Sequence, residues 1–203
     1  IYEEVIDWIK KGLIGEPKLV DASLGFNSPY DPESRLWNPK LAGGSLLDVG
    51  IYPLTLADLI YETTPENIFS LAELSPDGVD AHIAITMQFQ NSALATLGSA
   101  INLSLPNGAS ILGELGSIEI PHFWCAQKAF TTKGPEKREI FRPHEINGFE
   151  YQIREVDRCL SEGLTQSSKV SWECSLSMTQ LMDSIRSEIG VSYPADDEER
   201  DGI

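Results

Sequence analysis

The chain has 203 residues, of which 41% are hydrophobic, a content typical of a globular protein with one sizeable core. Its 31 acidic and 15 basic residues leave a net charge of −16, which disfavours nucleic acid and anionic membranes as partners. No apolar run approaches the roughly 20 residues that a membrane helix needs, and the N-terminus does not resemble a signal peptide. We therefore expect neither a nucleic-acid nor a membrane partner.

The three cysteines are far apart in the sequence and odd in number, at Cys125, Cys159 and Cys174. This spacing does not fit a metal site or a disulfide framework, so we expect no metal and a reducing, cytoplasmic location. Residue 1 is isoleucine, not an initiator methionine, so we expect that the chain was processed or cut from a longer protein.

Hydrophobic periodicity and turn residues divide the chain into helices and strands. In chain order we predict helix 2–13, strand 18–26, loop 27–42, helix 44–61, strands 68–74, 79–90, 93–103, 109–115, 117–121, 127–132 and 137–141, and helices 148–162 and 172–189.

The clearest strand signal lies in residues 79–90, where apolar and polar residues alternate. Val79 to Phe89 supply the apolar side, whereas Asp80, His82 and Gln88 fall on the polar side. Alternation with period two predicts a sheet with one face on a core and a wetter second face, open to solvent or to a symmetric partner.

The order of elements predicts an α+β fold, a large open and mostly antiparallel sheet with helices on one face. We predict one domain over residues 1–194 and a disordered acidic tail over residues 195–203. Strands and helices do not alternate and no G-x-G-x-x-G motif is present, so the chain lacks a nucleotide-binding doubly wound domain.

The segment GGSLLDVGIYP, residues 43–53, places a carboxylate, Asp48, and a phenol, Tyr52, four residues apart. On a helix this spacing puts both side chains on one face. Pro53 has no amide to donate to the Val49 carbonyl, so the helix is expected to bend or loosen at this turn.

Two interpretations of this pair remain open. In the structural one, Ser45 and Asp48 form a partial capping box and Tyr52 only packs and hydrogen-bonds. In the functional one, Gly43 and Gly44 let a ligand approach the helix start, and carboxylate and phenol handle protons. A nearby carboxylate disfavours a phenolate, so the functional interpretation needs a cation that no sequence neighbour supplies.

Residues 43–60 (GGSLLDVGIYPLTLADLI) resemble the G-G-G-x-L-x-D-x-G-x-[HY] segment of the glucose–fructose oxidoreductase, inositol dehydrogenase and MocA family. Residues 12–17 (GLIGEP), residues 114–120 (ELGSIEI) and the two closing helices resemble further family segments, so the resemblance covers nearly the whole chain. Tyrosine at position 52 is similar to the dihydrodiol dehydrogenase-like and glucose–fructose oxidoreductase-like branches of the family.

The resemblance implies a two-domain enzyme in which a Rossmann domain binds NAD or NADP, and this chain resembles only the second domain. By the same resemblance, Tyr52 exchanges the substrate proton, Asp48 orients the substrate hydroxyl or Tyr52, and a lysine of the absent domain supplies the cation. Arg35 and Trp37, in the preceding loop, would bind substrate. Residues Gly43–Gly44 would approach the cofactor.

The expected activity is hydride transfer between a nicotinamide and a sugar, a cyclic polyol or a trans-dihydrodiol, with the isolated domain inactive. We also expect a homodimer or homotetramer formed through the open sheet. The alternatives are a non-catalytic dimerisation module and a sugar-binding protein on the same fold.

Overall fold

The computed structural model describes residues 1–198. Its helices and strands are α1 Tyr2–Lys10, β1 Pro17–Gly25, a π-helical turn Leu46–Gly50, α2 Ile51–Tyr61, β2 Asn67–Leu74, β3 Asp80–Gln88, β4 Leu94–Ala100, β5 Gly108–Gly113, β6 Ser117–Pro121, β7 Lys128–Lys133, β8 Glu136–Phe141, α3 Glu150–Ser161, α4 Trp172–Ile189 and α5 Pro194–Glu198.

The eight strands form one open sheet in the order β2-β3-β4-β1-β5-β6-β7-β8. Only one neighbouring pair, β1 and β4, is parallel, with Ala22 opposite Leu97. Every other neighbouring pair is antiparallel. The predicted α+β class and the mostly antiparallel sheet are confirmed.

The core lies between the sheet and the helices on one of its faces. Ile83, Ile85 and Met87 of β3 are buried there as the alternation predicted, and Val5 of α1 and Met182 of α4 join the same cluster. The opposite face stays uncovered within the described residues. Within residues 1–198, no helix is long and apolar enough to cross a membrane.

The predicted helix 44–61 is divided, as the proline argument required. Residues Leu46–Gly50 form a π-helical turn, in which each hydrogen bond spans one residue more than in an α-helix, and α2 follows directly. At the other end of the chain, residues Pro194–Glu198 form a short helix that overlaps the start of the predicted disordered tail, residues 195–203. Residues 199–203 of that tail lie outside the described residues.

Helix α3 begins at a turn built around one carboxylate. Glu150 is buried, and its oxygens accept the backbone N–H groups of residues 145–148 at 2.7–3.2 Å. Although burial alone would raise the pKa of Glu150, these donors lower it to about 2. The ionised carboxylate therefore holds together the turn that starts α3.

Replacing this carboxylate should make the domain less stable in a pH-dependent way. Because the folded-state pKa of Glu150 lies below its unfolded value, its contribution is present above about pH 4.5 and is lost as the pH falls toward 2. Thermal unfolding of Glu150→Gln should therefore show a lower Tm at pH 7 and convergence with wild type in acid. Glu139→Gln, which removes an exposed β8 carboxylate, is the control; an equal drop there would contradict the assignment.

Candidate active site

The loop between β1 and the π-helical turn is anchored by a second, smaller core. Trp37 is only 3% exposed and packs with Val79, Ile101, Val191 and Tyr193. The sequence predicts that Trp37 binds substrate, but its burial in this cluster gives it a packing role instead. The reason is that the C-terminal segment after α4 folds back over this loop and covers the indole.

The two glycines of the motif are buried where the chain passes close to other backbone and to a carboxylate. A Cβ on Gly43 would lie 2.7 Å from the Leu36 carbonyl oxygen. Gly44 has a φ of +114°, and a Cβ there would overlap Asp80. The Gly43 and Gly44 amides donate to Asn38 and Leu36. Both backbone N–H groups are therefore already hydrogen-bonded within the loop. The geometry does not support the predicted contact of these glycines with a cofactor.

Asp80 is the carboxylate that holds this turn. It is fully buried, and its Oδ2 accepts the Leu46 amide at 2.6 Å and the Ser45 hydroxyl at 2.7 Å. Burial raises the pKa of Asp80, while these two hydrogen bonds oppose the shift. Ser45 thus contacts Asp80 and Ser99 rather than forming the capping box considered with Asp48.

The irregular helix presents Asp48 and Tyr52 at the surface of the domain. Asp48 lies within the π-helical turn and is half-buried, whereas Tyr52, in the first turn of α2, is 42% exposed. Pro53 is buried beside them and lacks the amide that a regular helix would direct to Val49. Turns of this kind are frequent at functional sites.

The structure also supplies a cation that sequence proximity did not reveal. The Arg35 guanidinium forms a salt bridge with Asp48, although the two residues are 13 positions apart. Arg35 is largely exposed, while the Asp48 side chain is only 19% exposed. The guanidinium therefore balances the charge of the Asp48 carboxylate at this part of the surface.

Tyr52 borders an apolar cleft of about 440 Å³, within the size range of small-molecule sites. The cleft is lined by Tyr2, Ile51, Tyr52, Thr55, Leu56, Leu59, Phe123 and Trp124. The Tyr2 hydroxyl donates to the Phe123 carbonyl at 2.5 Å, which ties α1 to the turn that carries Trp124. One wall of the cleft is therefore aromatic, and the exposed Tyr52 borders it.

The sequence placed Asp48 and Tyr52 on one helical segment, where the structure also has them, but it did not reveal Asp80 or the cleft. Asp80 was assigned to the wet face of β3, and the irregular pairing at this end of β3 buries it together with Ala81. The sequence signal that could have found it is the glycine pair, which requires a close neighbour. No group of three potential metal ligands occurs within residues 1–198.

Solved structures with the same fold belong to the class of two-domain oxidoreductases. The aldose-aldose oxidoreductase of Caulobacter crescentus, complexed with glycerol, matches 92% of this chain and 57% of its own, with a TM-score of 0.80 and 24% identity. A 3-ketoreductase from Actinomadura kijaniata, in complex with NADP and TDP-benzene, matches 93% of this chain and 58% of its own, with a TM-score of 0.80 and 19% identity.

The family model for the GFO/IDH/MocA C-terminal domain matches residues 2–119, and the chain belongs to this family. Trans-1,2-dihydrobenzene-1,2-diol dehydrogenase of Danio rerio is 30% identical over 201 residues, which are 95% of this chain and 60% of that protein. The Mus musculus enzyme of the same name is 29% identical over 203 residues. The chain spans about three fifths of the length of these relatives.

The contact between Gly44 and Asp80 can be tested by adding a single methyl group. Gly44→Ala should lower the free energy of unfolding by about 2 kcal/mol or more, because it combines a strained φ with overlap on a buried carboxylate. Gly78→Ala is the matched control, since Gly78 has a φ of +85° and open space around it. Chemical denaturation of both variants measures the difference; equal losses would show that the Asp80 contact contributes nothing.

Proposed function

We propose that this chain is the substrate-binding domain of an NAD(P)-dependent oxidoreductase that interconverts a hydroxyl and a carbonyl group. The observation that carries the proposal is the exposed Tyr52 phenol at the edge of an apolar cleft, one helical turn from the Asp48–Arg35 pair. The membership in the GFO/IDH/MocA family supports it.

Tyr52 is proposed to move the proton. In the oxidative direction the substrate O–H proton passes to the phenolate oxygen of Tyr52, and in the reductive direction the phenol returns it to the nascent alkoxide. A nicotinamide bound by another domain of the intact protein would supply or accept the hydride. Asp48 orients the substrate hydroxyl or Tyr52, and Arg35 holds Asp48 in place while contacting substrate from its exposed side.

The walls of the cleft favour a substrate ring with a hydrocarbon face. Phe123 and Trp124 lie at a ring distance of 5.9 Å with nearly perpendicular planes, and Leu56 and Leu59 line the cleft from α2. Such walls stack well against a cyclohexadiene or the apolar face of a sugar or cyclic polyol. Within the proposed substrate classes, this chemistry and the relatives favour a trans-dihydrodiol.

The open face of the sheet is proposed to join two copies of the protein. Phe69 and Leu71 of β2 are 71% and 72% exposed, and cross-strand register places Ala84, Thr86 and Thr96 on the same face. An apolar patch of this kind marks an association surface. The same observation favours the second candidate function, a non-catalytic dimerisation module.

Replacing Tyr52 with phenylalanine separates the two candidates. In the full-length protein, Tyr52→Phe should lower kcat about 10²- to 10⁴-fold with little change in oligomeric mass, because only the proton-transfer group is removed. Nicotinamide absorbance at saturating cofactor measures turnover of a trans-dihydrodiol. Tyr61→Phe removes a hydroxyl from the same helix, one that donates to the Leu94 carbonyl, and should keep wild-type turnover.

Unchanged turnover in Tyr52→Phe would remove the phenol from the reaction. If wild-type protein itself turned over no dihydrodiol, polyol or sugar, the dimerisation module would be the better description of the chain.

The association surface has its own test. Leu71→Glu places a charge on the exposed face of an edge strand and should reduce the mass measured by light scattering to that of one copy. Glu73→Gln, on the same strand, serves as the control. An unchanged mass for Leu71→Glu would show that copies meet elsewhere or not at all.

A further inference from the structure

Helix α3 turns its apolar side away from the rest of the domain. Phe149, at the start of the helix, and Ile153, Val156 and Leu160 recur at intervals of four, three and four residues, which aligns them in one stripe. They are 63%, 57%, 56% and 71% exposed. We name these four residues the α3 stripe.

The domain itself does not use this stripe. The buried residues of α3 are Glu150, which organises the preceding turn, and Cys159, whose thiol lies 3.8 Å from the Gln166 carbonyl oxygen. Neither belongs to the main core cluster. An amphipathic helix ordinarily buries its apolar side, so the α3 stripe is expected to be covered in the intact protein.

The base of α3 lies beside the segment through which the chain enters the domain. Lys169, in the α3–α4 connection, is 3.9 Å from Glu3 of α1. Arg142, just before the turn that starts α3, is 2.6 Å from Glu4. A domain that precedes α1 in the polypeptide is therefore tethered next to this helix.

The α3 region is also continuous with the candidate active site. His144 is 3.2 Å from the Cys125 carbonyl oxygen, and its ring packs edge-on against Tyr151 of α3 at 5.6 Å. Cys125 follows Trp124, which lines the cleft beside Tyr52. The turn beside the cleft is thus linked to α3 through His144 and Tyr151, on the side of the helix opposite the α3 stripe.

We infer that the α3 stripe is the docking surface of the nucleotide-binding domain of the same polypeptide. This inference rests on the proposed function, since it takes that domain as its occupant. About two fifths of the length of each of these relatives lies outside the part that matches this chain, which is enough for such a domain. A second copy is the less suitable occupant, because nothing ties another molecule to the entry of α1, whereas the tether gives a covalently linked domain a high local concentration here.

Hydrogen exchange and scattering on the full-length protein test the inference. In wild type, α3 amides should be protected despite the exposed stripe. Leu160→Glu should speed their exchange about tenfold or more and enlarge the radius of gyration in X-ray scattering, without changing the oligomeric mass. Ser161→Glu adds the same charge about 100° around the helix and should leave protection and scattering unchanged.

If Leu160→Glu does not fold, the milder variants Val156→Ala and Leu160→Ala replace it. They too should speed exchange of the α3 amides and enlarge the radius of gyration. Unprotected α3 amides in wild type, or unchanged exchange and scattering in the stripe variants, would overturn the inference. A halved mass would also overturn it, because a second copy would then cover the stripe. Nicotinamide binding, followed by its fluorescence, tests the proposed function separately, so failure of one is not failure of the other.

Discussion

The geometry of the candidate site depends on one buried carboxylate. Asp80 begins a strand of the sheet, yet its side chain accepts hydrogen bonds from Ser45 and Leu46, where the helical segment begins. Breaking the contact between a buried carboxylate and its hydrogen-bond donors is strongly destabilising. The contact with Asp80 therefore fixes the start of the helical segment against the sheet. It also explains Gly44, because any side chain there would occupy the space of the carboxylate.

Asp80 fixes the start of the helical segment, and Pro53 removes one of its backbone N–H groups. The segment cannot remain a regular helix between these two points. The π-helical turn between them is the result, and it carries Asp48. The loop that brings Arg35 to Asp48 is held in turn by Trp37 and by Tyr193, whose hydroxyl donates to the Gly43 carbonyl at 2.6 Å. The salt bridge between Arg35 and Asp48 at the surface thus depends on the packing of Trp37 and Tyr193 beneath it.

How far the sequence could predict this follows from the range of each interaction. The strands, the sheet class and the loosened helix at Pro53 depend on local periodicity and on a missing amide, and all were predicted. The burial of Trp37 depends on Val191 and Tyr193, more than 150 residues away, and the burial of Asp80 depends on an irregular strand pairing. No local pattern names these distant partners, although the glycine pair at 43–44 does indicate that some group approaches closely there. The Arg35–Asp48 pair was missed for the same reason, because its members are 13 positions apart in the sequence.

The charges of the site indicate why the proposed chemistry needs two domains. Arg35 is engaged by Asp48, and this pair leaves Tyr52 without a cation of its own in the part of the cleft formed by this chain. A phenol that exchanges protons near neutral pH needs a positive group close to its oxygen. On the proposed function, that group comes from the domain that binds the nicotinamide, so proton transfer and hydride transfer are completed by the same docking event. On the same proposal, docking at the α3 stripe would serve catalysis indirectly, by fixing the distance between the two halves of the reaction.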